Sequence, residues 1–196
     1  TDFVPPGGSW RPTGDGEVVV KPAVGAGSVD AGRYRLADPD HRRLAAEHVD
    51  RLTRAGRTVM VQPYLSAVDA HGETAVLFFA DPGTGELRYS HAIRKGAMLA
   101  GPDPGGDHLY RPEHITARTP SAAELEVARR ALTAVPHAEQ PLLYARVDMI
   151  PGPDGRPVVV ELEVTEPSLF LGHEAGAAAR FAAAVAARLG AGGDGA

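Results

Sequence analysis

Residues 144–164, Tyr-Ala-Arg-Val-Asp-Met-Ile-Pro-Gly-Pro-Asp-Gly-Arg-Pro-Val-Val-Val-Glu-Leu-Glu-Val, constrain the fold more than any other stretch. Apolar and charged side chains alternate on both sides of a Pro-Asp-Gly turn, the period of a half-buried β-strand. Asp154-Gly155 favours the positive backbone dihedrals of a two-residue type I′ turn, so the stretch reads as a hairpin. Such a turn pairs Pro153 with Arg156, Met149 with Val160, Asp148 with Glu161 and Arg146 with Glu163. Ala145, Val147, Met149, Val160, Leu162 and Val164 then share an apolar face, and Arg146, Asp148, Glu161 and Glu163 lie on the other.

An antiparallel hairpin can keep one face in water, and a solvated charged face is the plain reading. Like charges directly across a strand pair are unfavourable, however, and Asp148 faces Glu161. At ~5 Å and an effective dielectric of ~20 each such pair costs on the order of 3 kcal/mol. A divalent cation removes that repulsion, and carboxylate oxygens without His or Cys favour Mg²⁺ over zinc. Asp148, Glu161 and Glu163 are therefore candidate metal ligands, and Arg146 beside them suits a phosphate that the metal also touches.

The rest of the composition mainly excludes. A net charge of −5 and the lack of a Lys/Arg run argue against a nucleic-acid surface. No cysteine is present, so neither a disulfide nor a thiol nucleophile is available. No apolar run reaches membrane-spanning length and no signal-peptide pattern opens the chain, which makes a cytoplasmic protein the default expectation. The opening Thr1-Asp-Phe-Val-Pro-Pro-Gly-Gly reads like the middle of a domain, so a fragment of 196 residues is expected.

Short strands and helices alternate along the chain. Residues 17–22 and 58–65 read as buried strands, 23–32 as a glycine loop without apolar period, and Asp38-Pro39 as the start of a helix to about Arg54. Residues 74–80 and 87–94 flank Asp81-Pro-Gly-Thr-Gly85 as a second hairpin, and 101–107 reads as a loop. Ser121-Ala-Ala-Glu124 is a capping box before a helix, and a last helix runs from about His173 to Leu189 with Gly190 as its stop. Strands and helices mingled with two hairpins predict an α+β fold. Lys21 at a strand end, followed by Gly25-Ala-Gly-Ser28, can place an ammonium and backbone N–H groups around phosphate oxygens. Most lysines and glycine clusters merely finish strands and turns, and this order is neither a P-loop nor a dinucleotide fingerprint.

Taken in order, these pieces resemble the ATP-grasp ligases, in the branch that includes glutathione-synthetase-like enzymes and ligases closing O-ureidoserine into cycloserine. The residues that carry the likeness are Val19-Val-Lys-Pro22 with Gly25–Ser28, Val61–Leu65, Gly72–Val76, Ser90–Lys95, Ala145–Asp148 and Glu161–Ser168. The resemblance implies an ATP-grasp fold with a lid subdomain (1–64), an antiparallel-sheet ATP- and metal-binding subdomain (65–190), a tail (191–196) and an N-terminal domain missing from this chain. It implies that Lys21 contacts nucleotide phosphates under a lid formed by Gly25, Gly27 and Ser28. Gln62, Tyr64 and Leu65 would flank the adenine, and Glu73 would take the ribose hydroxyls. Asp148, Glu161 and Glu163 would hold two Mg²⁺ ions, with Mn²⁺ as an alternative, while Arg146 and Arg94 steady the transferred phosphoryl group.

The implied activity is ATP-dependent carboxylate–amine ligation through an acyl phosphate, on a small amino-acid-like substrate, including cyclisation, in amino-acid metabolism or antibiotic biosynthesis. A homodimer is the candidate assembly, with no nucleic-acid or membrane partner. Departures from the family pattern are Glu163 where Asn is common, Gln62 where Glu is common, and Ala75 where a cation is common. The rival readings are a phosphotransferase on the same scaffold and a non-catalytic nucleotide-binding module. Residue by residue, Glu73 could be a loop-end charge, Arg94 and Lys95 a solvated strand end, and His91 an ordinary strand histidine.

Overall fold

The structure is a computed structural model that describes residues 1–25, 27–103, 114–136 and 141–191. Its contacts divide into two compact units, Thr1–Ser66 with Ala97–Glu113, and Ala67–Gly96 with His114–Ala196.

In the first unit, β1 (Asp2–Val4), β2 (Glu17–Pro22), β3 (Gly32–Arg35) and β4 (Val59–Pro63) form an antiparallel sheet in the order β1-β4-β2-β3. The strand β3 adds to the sequence reading, because four residues, Gly-Arg-Tyr-Arg, emerging from a glycine loop are too few to show a period. Helix α1 (Pro39–Arg54) begins where Asp38 accepts hydrogen bonds from the Asp40 and His41 amides, with Pro39 in the first turn. It lays Ala45, Val49 and Leu52 on Val20, Tyr34, Leu36, Val59 and Val61. Because strand side chains alternate, Val19, Lys21, Arg33, Met60 and Gln62 are left on the sheet face opposite α1.

Beneath α1, the Tyr34 hydroxyl bonds His48 Nδ1 at 2.8 Å, and the Asp103 amide donates to the same hydroxyl at 3.2 Å. His48 is buried, and burial followed by the nearby Arg51 pushes its imidazole from 6.5 down to about 4. A depressed histidine favours the neutral form, so its contribution is complete above pH 6.5 and drains away as pH falls toward 4. The shift corresponds to about 3 kcal/mol, lost in full only once pH falls below about 4. Between pH 6.5 and 5, wild-type stability is expected to fall more steeply than that of His48→Gln in paired denaturation curves; parallel slopes would contradict a neutral buried imidazole.

The second unit starts with the short helix α2 (Ala67–His71), then β5 (Glu73–Ala80), β6 (Leu87–Lys95), β7 (Ile115–Arg118), helix α3 (Ala122–Thr133), β8 (Tyr144–Pro151), β9 (Pro157–Glu163) and helix α4 (Ala177–Ala191). Its sheet is antiparallel in the order β7-β6-β5-β8-β9. On one face Val76, Phe78, Ala92, Val147 and Met149 pack under α3 through Leu125, Ala128 and Leu132. The predicted capping box is present, with Ser121 and Glu124 satisfying each other's backbone amides, and Thr74 donating to Glu124 at 2.7 Å. On the other face Ala75, Leu77 and Ile93 lie under Leu169 and Phe170, while Phe181 of α4 meets Phe79 at 5.2 Å. No helix among the described residues is long and apolar enough to cross a membrane.

Local expectations are corrected at the β8–β9 hairpin and at the last helix. The hairpin turn is not type I′, because among its residues only Gly155 has a positive φ of 76°. Gly155 N–H instead bonds the Gly152 carbonyl at 2.9 Å, a type I turn with Pro153 and Asp154 at its centre and Gly155 closing it. Proline's fixed φ suits the second position of that turn, which moves it one residue toward β8. Met149 consequently pairs with Val159 rather than Val160, and a bulge at Val160 of β9, between the Met149 and Asp148 pairs, restores the expected Asp148–Glu161 and Arg146–Glu163 pairs. The last helix starts at Ala177, not near His173, because Gly176 takes a φ of 80° that breaks it from the 3₁₀ turn at Leu171–His173. It also runs through Gly190, which lacks the left-handed φ of a C-terminal stop, to Ala191. The expected 101–107 loop lies outside the described residues beyond Asp103.

Candidate metal centre

Cross-strand register arranges the chemistry in three ranks on the sheet face opposite α3. His91, Leu77, Arg146 and Glu163 form one rank; Ile93, Ala75, Asp148 and Glu161 form the next; Lys95 and Glu73 form the third. Asp148 sits at the centre of this array with its side chain 1% exposed, whereas Glu161, on the outermost strand, is 51% exposed. Oxygens of Asp148, Glu161 and Glu163 all lie within 4.8 Å of one another. The sequence-predicted ligands are thus brought together.

Cations are threaded through the carboxylates. Arg146 Nε donates to Asp148 Oδ1 at 2.8 Å, and one terminal nitrogen bridges Asp148 Oδ2 at 2.8 Å and Glu163 Oε1 at 2.5 Å. Lys95 Nζ donates to Asp148 Oδ2 at 2.7 Å and also pairs with Glu73. Burial alone would raise the Asp148 carboxyl, but these two cations outweigh it and hold it below the usual carboxylate range. Glu163 is raised instead, by burial and by the neighbouring Glu161 and Asp148 carboxylates, against the pull of Arg146. Burial also pushes Glu73 up to about 7, Lys95 opposing and Asp148 adding.

Three carboxylates share one guanidinium while Lys95 is divided between Asp148 and Glu73, so the cluster keeps a negative surplus. An all-oxygen donor set with that surplus fits a hard divalent cation.

Lys95 is the site residue that sequence reasoning missed. The 73–80/87–95 hairpin, counted back from its turn, sets Glu73 against Arg94; an extra residue, Ser90, bulges from β6 and sets it against Lys95 instead. Arg94 is thereby turned to the far side, where its guanidinium donates to the His71 and Ala70 carbonyls at 2.7 and 3.2 Å and caps α2.

The remaining predicted residues belong to the first unit. Lys21 and Gln62 share the sheet face opposite α1, Lys21 paired with Met60 and Gln62 with Val19. Tyr64 lies under the Arg33 guanidinium, 3.7 Å from ring centroid to carbon, and its amide donates to the Glu17 carbonyl at 2.8 Å. Leu65 follows it half-buried. In the glycine loop, Gly27 and Ser28 take φ values of 62° and 55°, and Gly25 lies beside Pro22 and Arg57. Ala26 lies outside the described residues.

No protein-family model matches the chain. It is 44% identical over 178 residues to the cycloserine biosynthesis protein DcsG of Streptomyces lavendulae, an alignment covering 88% of this chain and 55% of that protein. The crystal structure of D-cycloserine synthetase DcsG superposes with a TM-score of 0.77 at 38% identity, over 96% of this chain and 64% of that one. Two further structures share the fold. They are the VanG D-Ala:D-Ser ligase of Enterococcus faecalis (TM-score 0.56, 16% identity, 88% of this chain and 48% of that one) and the ATP-grasp ligase PsnB with Mg and ADP (0.52, 20%, 89% and 47%). The chain therefore spans 55% of the curated relative and between 47% and 64% of these solved chains.

Proposed function

Because this chain belongs to the ATP-grasp superfamily, we propose that it is the nucleotide- and metal-binding portion of an ATP-dependent carboxylate–amine ligase. The observation that carries this reading is the convergence of Asp148, Glu161 and Glu163 around the Arg146 guanidinium. Mg²⁺, when bound, supplies charge neutralisation for phosphate oxygens, one or two ions being held by these three carboxylates. Lys21 and the Gly25, Gly27 and Ser28 backbone hold phosphates, Gln62, Tyr64 and Leu65 border the adenine, and Glu73 receives the ribose hydroxyls. Arg146 has donors on both sides of its fork and orients the transferred phosphoryl group. Arg94 reaches a phosphate only by leaving the carbonyls of Ala70 and His71.

The chemistry follows from that arrangement. A substrate carboxylate attacks the terminal phosphorus of ATP, forming an acyl phosphate and releasing ADP. An amine or other nitrogen then attacks the activated carbonyl and releases phosphate. These residues position and neutralise rather than bond covalently, which suits a chain with no cysteine. The kinship with a cycloserine biosynthesis protein supports a small amino-acid-like substrate, and O-ureidoserine closing on itself is the first to try. In that variant both reacting groups lie in one molecule, and proximity assists the second step.

The test is ADP release by the full-length protein with MgATP and either O-ureidoserine or pooled amino acids, with products identified by mass spectrometry. ADP and free phosphate in equal amounts, with a product lacking phosphate, is the expected result. A stable phosphorylated product would select the phosphotransferase reading, and no calorimetric binding of MgATP would end both.

A further inference from the structure

His91 is buried at the end of the same rank that holds Arg146, with Leu77 between them. Its Nε2 lies 3.0 Å from the Leu169 carbonyl, and since a carbonyl only accepts, that nitrogen carries the proton. Nδ1 must then accept from the Ser90 hydroxyl at 3.0 Å, and that hydroxyl in turn accepts from Arg180 Nε of α4 at 3.1 Å. The tautomer and ring orientation of His91 are therefore fixed from behind by the bulged residue of β6 and by α4.

What His91 holds is the chain segment that follows the metal carboxylates. Ser168, Leu169 and Phe170 run past Leu77, from Arg146 on one side to His91 on the other. Arg146 donates to the Ser168 carbonyl at 3.4 Å, and His91 donates to the Leu169 carbonyl at 3.0 Å. Phe170, the next residue, is left-handed with φ 46° and ψ 38°, a conformation that bulky side chains rarely adopt. Held so, its ring lies 5.7 Å from the Arg146 guanidinium carbon, within cation–π range. The strained backbone persists only if its flanks are anchored, and the Leu169 carbonyl is the anchor on one side.

We infer that His91 is a positioning residue for Arg146, acting through the Leu169 carbonyl and the left-handed Phe170. It touches neither Asp148 nor Glu163; it fixes the aromatic floor on which the guanidinium rests while that guanidinium binds both carboxylates. The inference rests on the proposed function, in which Arg146 orients the transferred phosphoryl group. Released from His91, the segment relaxes toward ordinary dihedrals, Phe170 withdraws, and Arg146 loses one of the constraints on its fork.

Three variants of the full chain test this: His91→Leu, His91→Gln and Phe170→Gly. In His91→Leu, kcat is expected to fall by about 10- to 100-fold, with the KM for ATP within about 2-fold of wild type, as for other residues that orient a site ligand without touching substrate. Amide hydrogen exchange over residues 165–172 should accelerate while exchange in α1 and α3 stays unchanged. His91→Gln keeps a donor that can reach the Leu169 carbonyl and should restore both exchange and turnover to within about 3-fold. Phe170→Gly removes the ring but accepts the positive φ, so kcat should fall with the segment still protected. Unchanged exchange in His91→Leu, or faster exchange with unchanged kcat, would overturn the inference. Wild-type protein that releases no ADP would instead sink the proposed function, so the two failures are distinguishable.

Discussion

Glu161→Gln is expected to lower ATP-dependent turnover by at least about 10³-fold, roughly 4 kcal/mol of transition-state stabilisation, with no measurable loss of fold stability. Both halves follow from where Glu161 sits. Its carboxylate completes the oxygen cluster, yet it is half exposed on the outermost strand and approaches Arg146 only at 3.8 Å. Replacing it removes one carboxylate charge while relieving repulsion on Glu163, and its buried neighbour Arg146 keeps the closer Asp148 and Glu163 carboxylates. Magnesium titrations of ADP release, beside thermal melts, give the answer. Turnover within a few-fold of wild type at saturating magnesium would remove Glu161 from the site.

Asp148→Asn is expected to fail differently, losing turnover to a similar degree and also destabilising the second unit by about 3 kcal/mol. Here the carboxylate is sealed in the sheet and serves as shared counter-charge for Arg146 and Lys95, themselves almost buried. An amide keeps the shape but not the charge, leaving the two cations to Glu163, Glu73 and the more distant, half-exposed Glu161. The contrast between the two variants is the informative quantity. A denaturation midpoint for Asp148→Asn equal to that of Glu161→Gln would mean that the buried ion network contributes nothing to holding the sheet.

How much of this was legible beforehand depends on which residue one asks about. The Asp148–Glu161 and Arg146–Glu163 pairs were readable from alternation, but the turn behind them was not. Pro153 moves the turn, a bulge compensates, and the pairs emerge correct from two offsetting local departures. Lys95 was illegible for a related reason: one bulged residue, Ser90, decides whether Arg94 or Lys95 looks at the carboxylates, and nothing in a local pattern marks a bulge. The capping residues Asp38 and Ser121 were readable because their chemistry is local. The short strand β3 was not, since four residues pairing with β2 are defined by the partner rather than by themselves.

The gradient from sealed Asp148 to wetted Glu161 has a consequence for handling the protein. Under the proposed function, chelators arriving from solvent meet the Glu161 carboxylate first, while Arg146 and Lys95 stand ready to neutralise Asp148. Stripping with EDTA is then expected to be quick and reversible, leaving a purified sample that looks intact by circular dichroism yet releases no ADP until magnesium is returned to the buffer.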